Sequence, residues 1–204
     1  MSGSFPTSPA ASSVNIKSIE PTLVSVTQNL KRQVRRRGGQ RWSLEVEFPP
    51  MTRSEFAPIY AFAMKQQGQF ETFTYVPPVI STSQGDTTES PVVDGAVSVG
   101  ANSATIDGLT ASEAGIIKAG DFFKFSGHSK VYMATADMDA DGTSHATLNF
   151  APNLLNAVAN DETITFASVP FTVAFAQDIT QFATDTSALF GFSMTLVEVF
   201  LWNG

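Results

Sequence analysis

Residues 41–56 read Arg41-Trp-Ser-Leu-Glu-Val-Glu-Phe-Pro-Pro-Met-Thr-Arg-Ser-Glu-Phe56, and much of the fold can be inferred from them. In the first half, large apolar residues alternate strictly with charged or small polar ones, which predicts a strand with one buried face. Pro49-Pro50 then ends the strand. Thr52 followed three residues later by Glu55 has the spacing of a capping box, so we expect a helix to begin here.

The predicted helix carries its apolar residues on one face. They share the i, i+3, i+4, i+7 spacing and are Phe56, Ile59, Tyr60 and Ala63. Pro58 has no backbone N–H, so we expect a loose first turn and firm helix only over about residues 58–67. Gly68 suits the C-terminal cap, and the alternation over residues 70–76 predicts another strand.

Upstream of this unit, the alternating residues 22–30 predict a strand that pairs with residues 42–48. The connection between them is basic, and Gly38-Gly39 is expected to form the tip of the hairpin. Residues 1–13 consist mostly of Ser, Pro, Ala and Thr. They are expected to form an arm without a core of its own, held by a neighbouring subunit.

Downstream, residues 79–95 have the composition of a linker. Short predicted strands follow at roughly 10-residue intervals up to residue 166, a spacing typical of a small barrel or sandwich. Two further strands, over residues 170–176 and 189–202, can complete the sheet that the first strands leave open. We therefore predict an arm (1–13), a β domain built from residues 14–78 and 169–204, and an inserted small β-barrel domain at 91–168.

Composition limits the classes of function. The chain has 204 residues, 43% hydrophobic and 15% charged, and no cysteine, which excludes disulfides, thiolate metal sites and thiol nucleophiles. The charged fraction is below the usual ~25%, which suggests a surface partly covered by partners. No apolar run approaches the ~20 residues of a membrane-spanning helix, and the N-terminus does not resemble a signal peptide. We expect synthesis in a reducing cytoplasm and no membrane anchor.

Charge is unevenly distributed along the chain. Residues 1–75 hold nine of the twelve Lys and Arg but only five of the nineteen Asp and Glu. Six cations fall within eleven residues: Lys31, Arg32, Arg35, Arg36, Arg37 and Arg41. Such a cluster could neutralise nucleic-acid phosphates, but no aromatic stacking platform or DNA-binding motif accompanies it, and the acidic remainder would repel DNA. We favour a subunit interface for these six residues.

Other constellations predict no catalytic, cofactor or metal site. Asp137, Asp139 and Asp141 match the first half of a calcium loop, but Leu148 stands where a bidentate Glu is needed, so we expect a hairpin turn. His128 and His145 are expected in surface turns. No nucleophile–base pair is recognisable, and the chain is not expected to be an enzyme.

The ordered series formed by residues 41–56, Ala61-Phe62, Gly68, Phe73 and the closing stretch 190–199 resembles tail proteins of bacteriophages. More narrowly, it is similar to distal-tail and tail-tube-like proteins of the baseplate region. The resemblance covers about residues 14–78 and 168–202. It implies a mainly β fold: a tail-tube-like β sandwich or barrel with one flanking helix, interrupted by the inserted small barrel.

The resemblance also implies a function. The chain would be a structural component of the virion, assembled in the host cytoplasm. It would form a ring with itself, most simply a hexamer, contacting the tail tube and other baseplate or hub proteins. Genome DNA would pass through the lumen without sequence-specific binding. The insert favours a distal or baseplate position over the repeating tube. The alternative is a module in which the barrel binds a host glycan or a partner, with aromatic residues such as Phe122, Phe123, Phe125 and Tyr132 lining a sugar site.

Overall fold

The computed structural model describes residues 2–85, 89–184 and 188–200, and in these ranges the protein is mainly β with one helix. The strands are β1 (Ser13–Ile19), β2 (Thr22–Val26), β3 (Arg32–Arg36), β4 (Arg41–Glu47), β5 (Phe73–Tyr75), β6 (Val92–Val93), β7 (Ser103–Asp107), β8 (Phe122–Phe125), β9 (Tyr132–Ala134), β10 (Ala146–Ala151), β11 (Ile164–Thr165), β12 (Phe171–Phe175), β13 (Phe182–Thr184) and β14 (Phe190–Glu198). The helix α1 spans Arg53–Lys65. The predicted mainly β fold class with one helix is confirmed. No described helix is both long and apolar enough to cross a membrane.

The first sheet joins the two ends of the chain. Its strand order is β1-β4-β14-β12-β5, with β13 pairing β14 to the side. The late strands complete the sheet as predicted, because β14 pairs with both β4 and β12. The alternating face of β4 supplies core residues Trp42, Leu44 and Val46.

The N-terminal hairpin is longer than predicted and turns at a different place. β1 pairs with β4, β2 pairs with β3, and the chain reverses at residues 27–31. The prediction of a tip at Gly38-Gly39 is therefore wrong. These two glycines have φ of 71° and 78° and lie where the chain passes from β3 to β4. Two glycines can mark such a break between strands as readily as a turn.

The helix begins at Arg53, five residues before the predicted firm segment. The Glu55 carboxylate accepts hydrogen bonds from the backbone N–H of Thr52 at 2.8 Å and from its hydroxyl at 2.7 Å, which fixes the first turn. Pro58 is accommodated inside the helix. Gly68 follows the helix with φ of 66°, and a Cβ there would lie 2.9 Å from Oδ1 of Asp178, so both the backbone and the space favour glycine.

The N-terminal residues pack on the chain's own sheet. Residue 4 bridges Thr74 in parallel, and the Phe5 backbone N–H donates to the Thr74 carbonyl at 2.8 Å. Phe5 is buried among aromatic rings of the first core: Phe48, Phe62, Phe73 and Tyr75. The start of the arm is thus held without the neighbouring subunit expected for that role.

The second sheet contains the five short strands predicted between residues 104 and 166, together with β6. Its order is β11-β8-β9-β10-β7-β6. A bridge between Val92 and Thr163 brings its two edge segments together, so the sheet is a nearly closed, barrel-like one. It encloses a core of its own that includes Phe123, Phe125 and Tyr132. The chain leaves the first sheet after β5 and returns at β12, and these two strands are paired neighbours.

Candidate functional site

The ribbon formed by β2, β3 and their turn is exposed along its whole length. Every residue from 21 to 39 is exposed, and the two strands pair only with each other among the described strands. Their register runs from Thr22 opposite Arg36 to Val26 opposite Arg32. A two-stranded hairpin is marginally stable alone in water, so this ribbon is suited to packing against another surface.

The structure places all six cations of the predicted interface on or next to this ribbon, and all are exposed. Lys31 closes the turn, where its carbonyl accepts the Thr27 N–H at 3.0 Å, and Arg32 begins β3. Arg36 forms an exposed ion pair with Glu20. Arg35, Arg36 and Arg37, expected at the tip, instead lie along β3 and just beyond its end, because the turn falls at residues 27–31.

The ribbon also carries apolar side chains that the charge pattern concealed. They are 47–85% exposed and are Leu23, Val24, Val26, Leu30 and Val34. Val24 and Val34 are opposite each other and therefore share a face. Leu30, with φ of 61°, is 85% exposed in the turn. Apolar and cationic groups concentrated on one protruding element are typical of a protein interaction surface.

A second site joins the first sheet to the barrel, and it is buried. The Glu198 carboxylate lies at the end of β14 and accepts hydrogen bonds from the Val131 N–H at 2.8 Å and the Trp42 N–H at 3.1 Å. It also pairs with the Lys130 ammonium at 2.5 Å, and both side chains are at most 2% exposed. Indole Nε1 of Trp42 donates to the Val131 carbonyl at 2.9 Å. These bonds connect β4, β14 and the segment before β9.

Burial dominates the electrostatics of this ion pair. It raises the pKa of the Glu198 carboxyl, against the opposing effect of Lys130 and the two backbone donors. It lowers the pKa of the Lys130 ammonium, again against the attraction of Glu198. The ammonium lies 5.4 Å from the Trp42 ring centroid and 5.3 Å from that of Phe200, so aromatic faces replace part of its lost hydration. Glu198 of the first sheet is thus held by Lys130 and Val131 of the barrel segment, and Lys130 is held by Glu198 and by the rings of Trp42 and Phe200.

The sequence contains a signal for this junction that strand prediction alone does not reveal. Phe192, Met194 and Leu196 alternate on the inward face of β14, and Glu198 occupies the next inward position. A carboxylate in such a position needs a buried partner. The sequence alone could not identify Lys130 as that partner, because 68 residues separate the two.

The three aspartates of the calcium-like segment bind different turns. Asp137 accepts the Ala119 N–H at 2.9 Å and pairs with Lys118 at 3.1 Å. Asp139 accepts the Gly115 N–H at 2.6 Å. Asp141 accepts three bonds within its own turn, from Thr143 and His145. These carboxylates act as turn caps, each engaged by its own donors.

The two histidines differ from each other. His145 is partly exposed, with Nε2 3.8 Å from a carboxylate oxygen of Asp94. His128 is buried, at 5% exposure, and its Nδ1 lies 3.0 Å from the Tyr132 hydroxyl. The predicted surface position of His128 is therefore wrong. The residue follows a turn, but the turn folds its side chain into the barrel.

The aromatic residues considered for a sugar site face inward. Phe123, Phe125 and Tyr132 are fully buried in the barrel core. Phe122 is half-buried against Trp42, with ring centroids 5.1 Å apart. These side chains fill the barrel or bind it to the first sheet, and they do not form an exposed stacking surface.

Comparison with known protein families identifies the barrel. Residues 80–169 match the family model described as distal tail protein pb9, B domain. The match contains β6 to β11, the whole second sheet. It confirms the predicted resemblance to phage distal tail proteins, although it covers the barrel, whereas the resemblance is predicted from residues 14–78 and 168–202. No curated protein sequence matches the chain.

Proposed function

We propose that the chain, which is similar to a phage distal tail protein over its barrel, is a structural component of the virion that assembles into a ring at the distal tail or baseplate. The exposed ribbon is the observation that supports assembly. It carries both cations and apolar groups, its strands pair only with each other among the described strands, and the six cations predicted as an interface lie on or beside it. The ring joins the tail tube to neighbouring baseplate proteins, and a sixfold ring is the simplest expectation.

Subunit bridging accounts for the ribbon better than nucleic-acid binding does. Residues 76–204 carry fourteen of the nineteen acidic residues and only three of the twelve Lys and Arg, so a second copy offers the opposite charge. Residues 21–39 include no aromatic side chain on which a base could stack. DNA passing through the lumen would then meet no sequence-reading element in the ribbon.

Charge removal at the turn tests this proposal. Exposed ion pairs contribute about 0.2–1 kcal/mol each, so we change two cations together, Lys31→Ser and Arg32→Ser. The matched control is Arg53→Ser with Lys65→Ser on the helix. We expect the turn variant to keep its melting temperature and to require a higher concentration for ring formation, measured by sedimentation velocity and negative-stain electron microscopy.

Salt and DNA provide the opposing readouts. Ring formation by the unaltered chain is expected to weaken as salt rises, because screening shortens the reach of exposed charges to about 8 Å at 0.15 M. A chain that stays monomeric at all concentrations would refute the ring. The unaltered chain could instead bind duplex DNA tightly at low salt. If the turn variant then loses DNA binding but still assembles, the ribbon is a nucleic-acid-binding element and not a subunit interface.

A further inference from the structure

We propose that the ribbon of one copy docks in a groove on the first sheet of the neighbouring copy, where Glu47 receives one of its cations; this rests on the proposed ring. The groove has a volume of about 420 Å³. Its floor is residues 193–195 of β14, in the interval between the part of β14 that pairs with β13 and the part that pairs with β12. Residues 45–47 of β4 line one side of the groove, and the segment after β12, including Gln177 and Ile179, lines the other.

The groove is chemically matched to the ribbon. Glu45 and Glu47 line it, and Ile179 at its rim is 76% exposed. The ribbon offers the complementary mixture, with Arg32 opposite Val26 on one face. A cation and an apolar side chain of the ribbon can therefore contact a carboxylate and an apolar side chain of the groove at the same time. Such matching of charges fixes the register between two subunits.

Glu47 differs from most of the described acids because its carboxylate forms no hydrogen bond or ion pair with a described residue. Glu45, by contrast, pairs with Lys17 and accepts a hydrogen bond from Asn15 at 2.9 Å, and these two contacts, Lys17 above all, lower the pKa of its carboxyl. On the barrel, Asp137 and Asp141 cap turns, and Glu162 accepts from two backbone N–H groups at 2.7 and 3.1 Å. The groove thus holds an acid whose charge is not used within the described chain.

A second pocket on the same sheet is less suited to the ribbon. It has a volume of about 400 Å³ and is lined by aromatic rings from α1, β13 and β14, including Tyr60 and Phe182. Arg53 stands at this pocket, and its described lining includes no acid. A ribbon with several cations would meet like charge there, which is costly at an interface.

The positions of ribbon and groove also suit a ring. The ribbon continues from the Arg41 end of β4, while Glu47 lies at the other end, six residues or about 20 Å away. Contact between opposite ends of identical subunits is head-to-tail, and such contacts close into rings when the rotation permits. A ribbon-to-groove contact repeated around an axis therefore uses two different surfaces of each copy.

Cross-linking tests the contact directly. The chain has no cysteine, so a thiol reagent can react only with cysteines that are introduced. We introduce Val26→Cys on the ribbon together with Ile179→Cys at the groove, in the full chain, and treat assembled rings with a short bis-maleimide. The control replaces Ile179→Cys with Val99→Cys, on the barrel and 61% exposed. We expect a ladder of covalent multimers from the first pair only. Rings that give no ladder, or an equal ladder with Val99→Cys, would overturn the groove.

A charge swap tests which acid receives the cation. Glu47→Lys and Arg32→Glu are each expected to raise the concentration needed for ring formation severalfold, and the double variant to recover most of the loss. Asp94→Lys makes the same change in charge on the barrel, where the side chain of Asp94 is about half exposed, and is expected to leave assembly intact. If the unaltered chain forms rings but Glu47→Lys does too, the groove is wrong and the ring stands. If Asp94→Lys weakens assembly equally, net charge explains the effect and the groove is again wrong. If no chain forms rings, the proposed function itself fails.

Discussion

Glu198 shows how one buried residue can connect two sheets. Its carboxylate accepts hydrogen bonds from Lys130, Val131 and Trp42. Removing one partner of a buried pair leaves an uncompensated charge, which costs about 3–5 kcal/mol. Glu198→Gln is therefore expected to lower the free energy of unfolding by about that amount, measured by urea denaturation.

A matched exposed pair serves as the control for this change. Glu20 and Arg36 form an ion pair in which both side chains are about half exposed. Glu20→Gln is expected to change the free energy of unfolding by less than about 1 kcal/mol, because solvent screens exposed pairs. Equal effects from Glu198→Gln and Glu20→Gln would show that burial of the first pair contributes nothing.

Asp121 ties the segment before the barrel to β8. It is 3% exposed, and its carboxylate accepts from Ser83 at 2.6 Å, from Gln84 at 3.0 and 3.1 Å, and from the Lys118 N–H at 2.9 Å. Burial raises its pKa, but these hydrogen bonds outweigh burial, so the pKa lies below the ordinary value.

This depression of the pKa predicts a pH dependence. A carboxyl with a lowered folded-state pKa stabilises the protein above the unfolded-state value, near 3.9, and that contribution is lost as pH falls through the folded-state value. Asp121→Asn is expected to cost about 1–3 kcal/mol at pH 7, and the difference from the unaltered chain should shrink below about pH 4. Asp161→Asn is the control, since Asp161 is exposed with φ of 61°, which Asn tolerates. A constant difference between pH 7 and pH 3 would contradict this assignment.

At the scale of elements, periodicity predicted most strands and the position of the helix. β4, β14 and the barrel strands follow the alternation of large apolar residues, because one buried face imposes a period of two. The errors occur where local chemistry allowed two outcomes. Gly38-Gly39 suits a turn as well as a break between strands, and the cap at Thr52 outweighed Pro58 at the start of the helix. Tertiary contacts decide between the two outcomes at these positions, and such contacts cannot be inferred from the local sequence.

The candidate site was only partly predictable for the same reason. The six cations are adjacent in sequence, so their clustering survives any folding of the ribbon. The residues of the groove are not adjacent in sequence, since Glu47 and Ile179 belong to segments far apart in the chain. His128 shows the same limit within a short distance, because the turn that carries it folds toward Tyr132.

The whole molecule consists of two sheets that depend on each other unequally. The barrel has a nearly closed sheet and its own core, and the strands that flank it, β5 and β12, are paired. The first sheet uses the barrel as a cover, since Trp42 and Phe171 both contact Phe122. Val131, from the barrel segment, is buried in the first core. Excision should therefore harm the first sheet more than the barrel.

We expect residues 80–169 alone to unfold cooperatively, and a chain joining residue 78 to residue 169 by a Gly-Ser link to fold with reduced stability. Uncovering one aromatic face, on the order of 100 Å², costs about 2–3 kcal/mol at ~25 cal/mol per Å². Both tryptophans, Trp42 and Trp202, fall outside residues 80–169, so their fluorescence reports on the rest of the chain, while circular dichroism follows each shortened protein.

In the full chain, Trp42→Phe keeps an aromatic ring but removes the hydrogen bond to the Val131 carbonyl, and this variant should lose only part of the stability that the joined chain loses. A barrel that fails to unfold cooperatively would contradict the proposed domain division at 91–168. A joined chain as stable as the original would instead show that the junction at Trp42 and Glu198 contributes no stability to the first sheet.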